Sequence, residues 1–319
     1  MPLVSDPIAY AVIREDPRLE GDLILRLHAE RVLCVASGGC VALSLSSRFP
    51  RVAVTAFDTS AAQLAHMQKK SEAALRRDAA ALNVQDASRT GLNQAGELEK
   101  VFRMLRAFFE EFIAPHDDLF AFFTRQRPLS ALDSLVRTWT TSPYWLAAFH
   151  ACFSDVLMRT NLGSASAFAD IGGQPAYFAR AFARSFRRDA APENPFLQHV
   201  FLGGYHPDCA PYYIRNPAPF RIEMVHGGLS DVPELERFDV VSLSNLMDIV
   251  PEPELLATAK LLKARLRPGS ALLMRQLNST RRLRPYFEDA FAFDDVVGGR
   301  YYRRERSQFY NRIEVGFRR

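Results

Sequence analysis

Lysine is almost missing from this chain: of 40 basic residues only Lys69, Lys70, Lys100, Lys260 and Lys263 are lysines, set against 36 acidic residues. The arginines are spread through the expected helices and loops, which argues against a dedicated nucleic-acid surface. Two clusters, Arg281/Arg282/Arg284 and Arg303/Arg304/Arg306, are placed either to meet phosphates or an anionic membrane, or to form solvated faces and internal ion pairs. Cysteine is scarce too. Cys34, Cys40, Cys152 and Cys209 contain no Cys-x-x-Cys pair, so they read as small apolar residues in a reducing compartment. Only His206 and Cys209 bring two potential metal ligands close, and without a second pair no metal is expected. No apolar run approaches the roughly 20 residues of a membrane span, and the opening residues lack the basic start and apolar centre of a secretion signal. A cytoplasmic protein without an integral membrane segment is the expectation. Low-complexity tracts are also absent, and 319 residues with 48% hydrophobic content suffice for one large domain or a domain carrying a sizeable insertion.

What is present is more specific. Arg31-Val-Leu-Cys-Val-Ala-Ser-Gly-Gly-Cys40 followed by Arg51-Val-Ala-Val-Thr-Ala-Phe-Asp58 predicts two parallel strands, the first ending on a Gly-rich turn and the second on a lone carboxylate. The apolar run before Ser37 suits a strand buried on both faces. Gly38 and Gly39 would let the backbone approach an adenosyl ligand with no side chain in the way. Asp58, about 20 residues past the turn, is placed to accept hydrogen bonds from a ribose. Val41 to Ser47 should be the helix after the glycines, its amides facing the ligand. The run Thr59 to Gln63 caps a further helix.

The next convincing strand, Phe220 to Val225, begins about 160 residues after Asp58, whereas a crossover helix needs only a dozen or so. A large insertion is therefore expected between the second and third strands. Its content is helical by period: Leu98/Phe102/Leu105/Phe109 and Trp145/Phe149/Phe153/Leu157 recur at steps of three and four. Beyond it come a strand at Phe238–Ser244, a helix from Glu254 to Leu266, a strand at Ala271–Met274, and two terminal strands around Ala290–Val297 and Phe309–Phe317, the last antiparallel. The inventory is an α/β chain with a seven-stranded sheet of the class I S-adenosylmethionine-dependent methyltransferase-like Rossmann fold. It divides into residues 1–85, a helical cap at 86–215, and residues 216–319.

Arg14-Glu-Asp-Pro17, the glycine turn, Asp58 with Gln63, Leu243-Ser-Asn245 and Glu305-Arg-Ser-x-x-Tyr310 together resemble the aminocarboxypropyl transferases that begin betaine-lipid synthesis from S-adenosylmethionine and diacylglycerol. The resemblance touches both ends of the chain and only loosely the stretch between Glu72 and Asn216. It implies that a nucleophile attacks the γ-carbon of the methionine chain instead of the methyl group, and that methylthioadenosine leaves. A sulfonium has three carbons open to displacement, and the one in line with a held nucleophile is the one that reacts.

The resemblance implies roles residue by residue. Ser37, Gly38 and Gly39 would line the methionine and ribose portion of S-adenosylmethionine, with Asp58 on the ribose hydroxyls and Gln63 steadying that loop or touching the ligand. Gly228, Leu229 and Asp231 would bracket adenine, Asp231 accepting from its amine. Ser244 and Asn245 would hold the amino and carboxylate groups of the reacting chain, or else only stabilise a turn. Arg275 would grip the substrate carboxylate or form a structural ion pair. Tyr177, after Gly172 and Gly173, or Tyr310 would face the sulfonium.

The chain is shorter than the lipid enzymes and shows no basic amphipathic helix suited to a bilayer, so a compact aromatic cap points to a small-molecule substrate. The α-amine of S-adenosylmethionine is itself a nucleophile and can close azetidine-2-carboxylate on its own γ-carbon, as natural-product enzymes on a similar fold do. Cyclisation or transfer to a small amine or phenol is therefore expected. Methylation of a small metabolite and transfer to diacylglycerol are the alternatives.

Overall fold

The structure is a computed structural model and describes residues 7–126, 128–162 and 173–319. Seven strands form one mixed sheet: β1 (Arg31–Val35), β2 (Ala53–Asp58), β3 (Ile222–His226), β4 (Val240–Ser242), β5 (Ala271–Gln276), β6 (Phe291–Phe293) and β7 (Arg312–Arg318). Their order is β3-β2-β1-β4-β5-β7-β6, and β7 alone runs against its neighbours. The chain leaves β1 for β2 on one side and resumes at β4 on the other, so the strand order reverses direction between β1 and β4. Such a reversal opens a crevice at the carboxyl ends of the strands.

The central strands β1, β4 and β5 are buried on both faces, which is why they read as nearly unbroken apolar runs, whereas the edge strand β3 is largely exposed. Val32, Cys34, Val54 and Ala56 pack on one face beneath α1 (Arg18–Leu27), α2 (Cys40–Arg48) and α3 (Ala61–Leu75). Leu33, Phe57, Val241 and Leu272 point the other way. Alternation along a strand sends neighbours to opposite faces.

Helices α4 (Glu97–Phe112), α5 (His116–Phe123), α6 (Leu129–Thr141), α7 (Pro143–Cys152), α8 (Asp155–Leu162), α9 (Gly173–Phe186), α10 (Pro195–Phe201) and α11 (Tyr212–Arg215) lie between α3 and β3. Their core is aromatic. Phe109, Phe149, Phe182, Phe186, Phe201, Trp139 and Trp145 form one chain of ring contacts with centroids 4.8 to 6.3 Å apart. The stripe from Leu98 to Phe109 lies on one helix as its period predicts. That from Trp145 to Leu157 spans two, because α7 ends at Cys152 and α8 begins at Asp155.

After β4 come α12 (Leu246–Ile249) and α13 (Glu252–Arg265), the latter burying Leu255, Ala259 and Leu262 against the second face of the sheet. The expected strand over Ala290–Val297 is corrected: β6 stops at Phe293 and α14 (Asp295–Arg304) follows. The Asp294 side chain accepts a 2.9 Å hydrogen bond from the Val297 amide and caps that helix. Among the described residues no helix is long and apolar enough to cross a membrane.

Candidate functional site

A cavity of about 430 Å³ opens at the carboxyl ends of β1, β2 and β4, where Ser37, Asp58 and the Ser244–Asn245 pair reach its wall. Ser37 and Ser244 both have positive φ, 43° and 55°. Left-handed backbone on a residue with a Cβ is strained by about 1–3 kcal/mol and gathers where a binding surface demands it. At Ser37 the amide lies 2.9 Å from Asp58 Oδ2, and Asp58 Oδ1 accepts from the Ser60 amide at 3.0 Å. The carboxylate thus pins both loops beside the cavity. Burial pushes its pKa up, and the two amide hydrogen bonds only partly offset that.

Gly38 and Gly39, expected to line the ligand, are not among the residues lining the cavity. A Cβ on Gly38 would stand 2.8 Å from the carbonyl oxygen of Ala11 and from the Ile13 amide nitrogen, and one on Gly39, at φ 78°, 2.6 Å from Met67 Cγ. Gly38 is needed because the segment before α1 crosses directly over the turn, and Gly39 because its backbone is left-handed and α3 packs against it through Met67. Lys70, fully buried on α3, clamps that crossing by donating to the carbonyls of Ala11 (2.8 Å) and Gly38 (2.7 Å). Gln63 also steadies it, donating to Tyr10 O (2.9 Å) and Ser37 O (2.6 Å) while accepting from the Tyr10 amide. From the helical side, Glu99 of α4 accepts from the Ala11 amide at 2.8 Å.

This crossing segment supplies two wall residues that sequence reasoning missed, Tyr10 and Arg14. The Arg14 guanidinium is buried, 3.0 Å from Glu99 and 3.9 Å from the ring centroid of Phe102. Its Nε, however, has no hydrogen-bond partner among the described residues. On the opposing helical wall, Gln174 of α9 is 3% exposed and its Oε1 is likewise unpartnered. Orphaned buried polar atoms are rare, because each costs roughly 1–3 kcal/mol when left unsatisfied. The one sequence signal was the charged string Arg14-Glu-Asp-Pro17. Phe102, Phe153, Phe178 and Phe309 complete an aromatic roof.

Of the remaining expected site residues, Tyr310 reaches the cavity and donates from its hydroxyl to Glu15 at 2.9 Å. Ser244 Oγ donates to the same carboxylate, with the Asn245 side chain beside it. Arg275 does not reach the cavity. Fully buried in β5, it meets Glu20 through two nitrogens at 2.7 and 3.2 Å, Glu15 at 3.3 Å and Glu305 at 3.4 Å, so it is the hub of an internal ion cluster. Burial pushes Glu305 up to about 7 despite this guanidinium.

Tyr177 is displaced as well: its hydroxyl donates to the Phe309 carbonyl, and its α9 neighbours Gln174 and Phe178 face the cavity instead. Gly173 begins that helix, and Gly172 lies outside the described residues. Gly228, Leu229 and Asp231 sit beyond the rim. The Gly227 amide rests on Asp58 O, but Asp231 turns back to the Gly228 amide at 2.8 Å and Leu229 is buried under the sheet. Among the described residues no three His, Cys, Asp or Glu side chains gather as a metal site.

The chemistry available here is recognition of a ligand with a polar end and a cationic or apolar middle. Hydrogen-bonding groups line the sheet side, uncharged rings line the helical side, and the titratable wall residues among those described are Tyr10, Arg14, Asp58 and Tyr310. Burial, with Glu99 and Asp58 nearby, pushes the Tyr10 hydroxyl up to about 12. Comparison with protein families, with curated proteins and with solved structures finds no match to this chain.

Proposed function

We propose that this chain cleaves the bond between the γ-carbon and sulfur of S-adenosylmethionine, releases methylthioadenosine, and uses the 3-amino-3-carboxypropyl group to close azetidine-2-carboxylate or to alkylate a small nucleophile. The observation that carries the reading is the cavity's position: it lies at the β1/β4 reversal, with the carboxylate ending β2 and the Ser–Asn pair after β4 on its wall. A strand order of 3-2-1-4-5-7-6 with only the seventh reversed is also that of the class I S-adenosylmethionine-dependent methyltransferases. The volume falls within the usual range for a small-molecule site, about 300–1,000 Å³.

In this reading Asp58 accepts from the ribose hydroxyls, its two amide contacts leaving lone pairs to spare. Arg14 Nε meets the substrate carboxylate and Gln174 Oε1 its amine, which satisfies both orphaned atoms. The sulfonium lies against the rings of Phe178, Phe309 and Tyr310, whose faces attract a cation without offering it a base. An amine held near a guanidinium under an apolar roof loses its proton more readily than in water. Its lone pair then forms the bond to the γ-carbon, the C–S pair passes to sulfur to give the neutral thioether, and the ring nitrogen's extra proton leaves to solvent. Such a nucleophile arrives with the substrate, which suits walls whose described titratable groups are two tyrosines, an arginine and a carboxylate already holding two amides.

Incubation with S-adenosylmethionine alone, followed by mass spectrometry, tests the proposal. Methylthioadenosine with azetidine-2-carboxylate supports cyclisation. Methylthioadenosine appearing only with an added amine or phenol supports transfer, and S-adenosylhomocysteine contradicts both in favour of methyl transfer.

A further inference from the structure

A second cavity, of about 270 Å³, lies on the far side of the crossing segment: Val12 and Ile13 line both. Two hydroxyl-bearing residues line it, Ser44 of α2 and Tyr205 after α10, which are 3% and 2% exposed. Neither oxygen has a hydrogen-bond partner among the described residues. Two orphaned hydroxyls on one small wall are hard to reconcile with a mere packing defect, since each forfeits the hydrogen bonds it would keep in water.

Charge surrounds the same cavity. Arg18 and Arg306 share one carboxylate, that of Asp16, at 2.6 and 2.7 Å. Arg48 and Arg215 have no carboxylate partner within 4.0 Å among the described residues: Arg48 rests on the Phe49 ring, and Arg215 donates through Nε to the Ala210 carbonyl. Glu15 also touches this cavity, but its carboxylate is engaged by Arg275, Tyr310 and Ser244. The balance is positive, with two guanidinium groups to spare. The rest of the lining includes the apolar side chains of Leu45, Pro195, Phe196 and Pro211.

We propose that this cavity is a binding site for a small organic phosphate, its phosphoryl oxygens held by Arg48, Arg215 and the hydroxyls of Ser44 and Tyr205, and its hydrocarbon or ring portion lodged against Pro195 and Phe196. A phosphate monoester dianion supplies the several acceptor oxygens that two guanidinium groups and two hydroxyls require. Because this site is separate from the one assigned to S-adenosylmethionine, the inference does not depend on that reading.

Phenyl phosphate is a suitable probe, titrated calorimetrically into the full chain beside inorganic phosphate and benzoate. Saturable binding of phenyl phosphate is expected, weaker for inorganic phosphate and for benzoate, and reduced about tenfold or more in an Arg48→Ala/Arg215→Ala variant. A Tyr205→Phe variant, which removes one hydroxyl and no charge, should lose a few-fold. If the double variant does not fold, Arg48→Gln alone provides the comparison. No heat from phenyl phosphate, equal affinity in the variants, benzoate binding as tightly as phenyl phosphate, or displacement by S-adenosylmethionine would each overturn the assignment.

Discussion

The two sides of the main cavity are built by different physics. On the sheet side, charged and polar groups are sunk into the interior and made tolerable by partners: Arg275 among three carboxylates, Lys70 under two carbonyls, Asp58 between two amides. On the helical side the interior is a continuous stack of rings, Phe102, Phe149, Phe153 and Phe178 among them. Directional bonds fix atoms in place and punish any lost partner, because a stranded buried charge is far more costly than a missing contact. Ring packing holds shape with more latitude, since apolar side chains of similar volume can repack. A site between the two halves gains a rigid polar register below and an adaptable apolar wall above.

The largest effect should come from breaking the polar half. Arg275→Met removes the guanidinium and leaves the carboxylates of Glu15 and Glu20 facing each other in the interior, for an expected loss of about 3–5 kcal/mol in urea unfolding. A loss below about 1 kcal/mol would show that the cluster is protonated or hydrated and would erase the contrast. Asp58→Ala comes next, with affinity for S-adenosylmethionine falling about 100-fold by calorimetry, since the ribose acceptor and the anchor for Ser37 and Ser60 go together. An unchanged affinity would remove the ribose assignment.

Smaller effects sharpen the comparison. In the helical half, Phe149→Leu should cost under about 1.5 kcal/mol, because a ring in an apolar stack can be replaced with modest repacking. A cost equal to that of Arg275→Met would mean both halves are equally exacting. A pH dependence is expected as well. Burial raises the Glu305 carboxyl from its ordinary 4.5 to about 7, so the folded state holds the proton more tightly than the unfolded chain. The resulting stabilisation is complete below 4.5 and disappears as pH rises through about 7, so the urea midpoint should fall across that interval. Glu305→Gln should flatten that fall, and an identical profile in the variant would assign it to other groups.

How much of this was legible in the sequence follows the same divide. The central strands announce themselves because burial on both faces leaves them apolar, and the turn at Ser37 and the acid at Asp58 mark where two strands end. The helical stripes were legible by period. What the sequence concealed are contacts between distant residues. Nothing near Gly38 in sequence tells that Ala11 and Ile13 cover it, so a smallness that reads as room for a ligand is already required by the backbone crossing it. A strand-end arginine reads alike whether it grips a substrate or anchors an ion cluster, and the partners of Arg275 are scattered from Glu15 to Glu305. Tyr177 and Gln174 lie three positions apart on α9, and only the helix's docked orientation decides which faces the cavity. The Phe-Ala-Phe run after Ala290 promised a longer strand than Asp294 permits, since that side chain caps α14 instead.

The central claim is that the carbon displaced from sulfur is the γ-carbon, and its most direct test is to follow that atom. With S-adenosylmethionine isotopically labelled at the γ-carbon, turnover should move the label into a product separable from the nucleoside, leaving unlabelled methylthioadenosine. Label retained in S-adenosylhomocysteine would contradict the account.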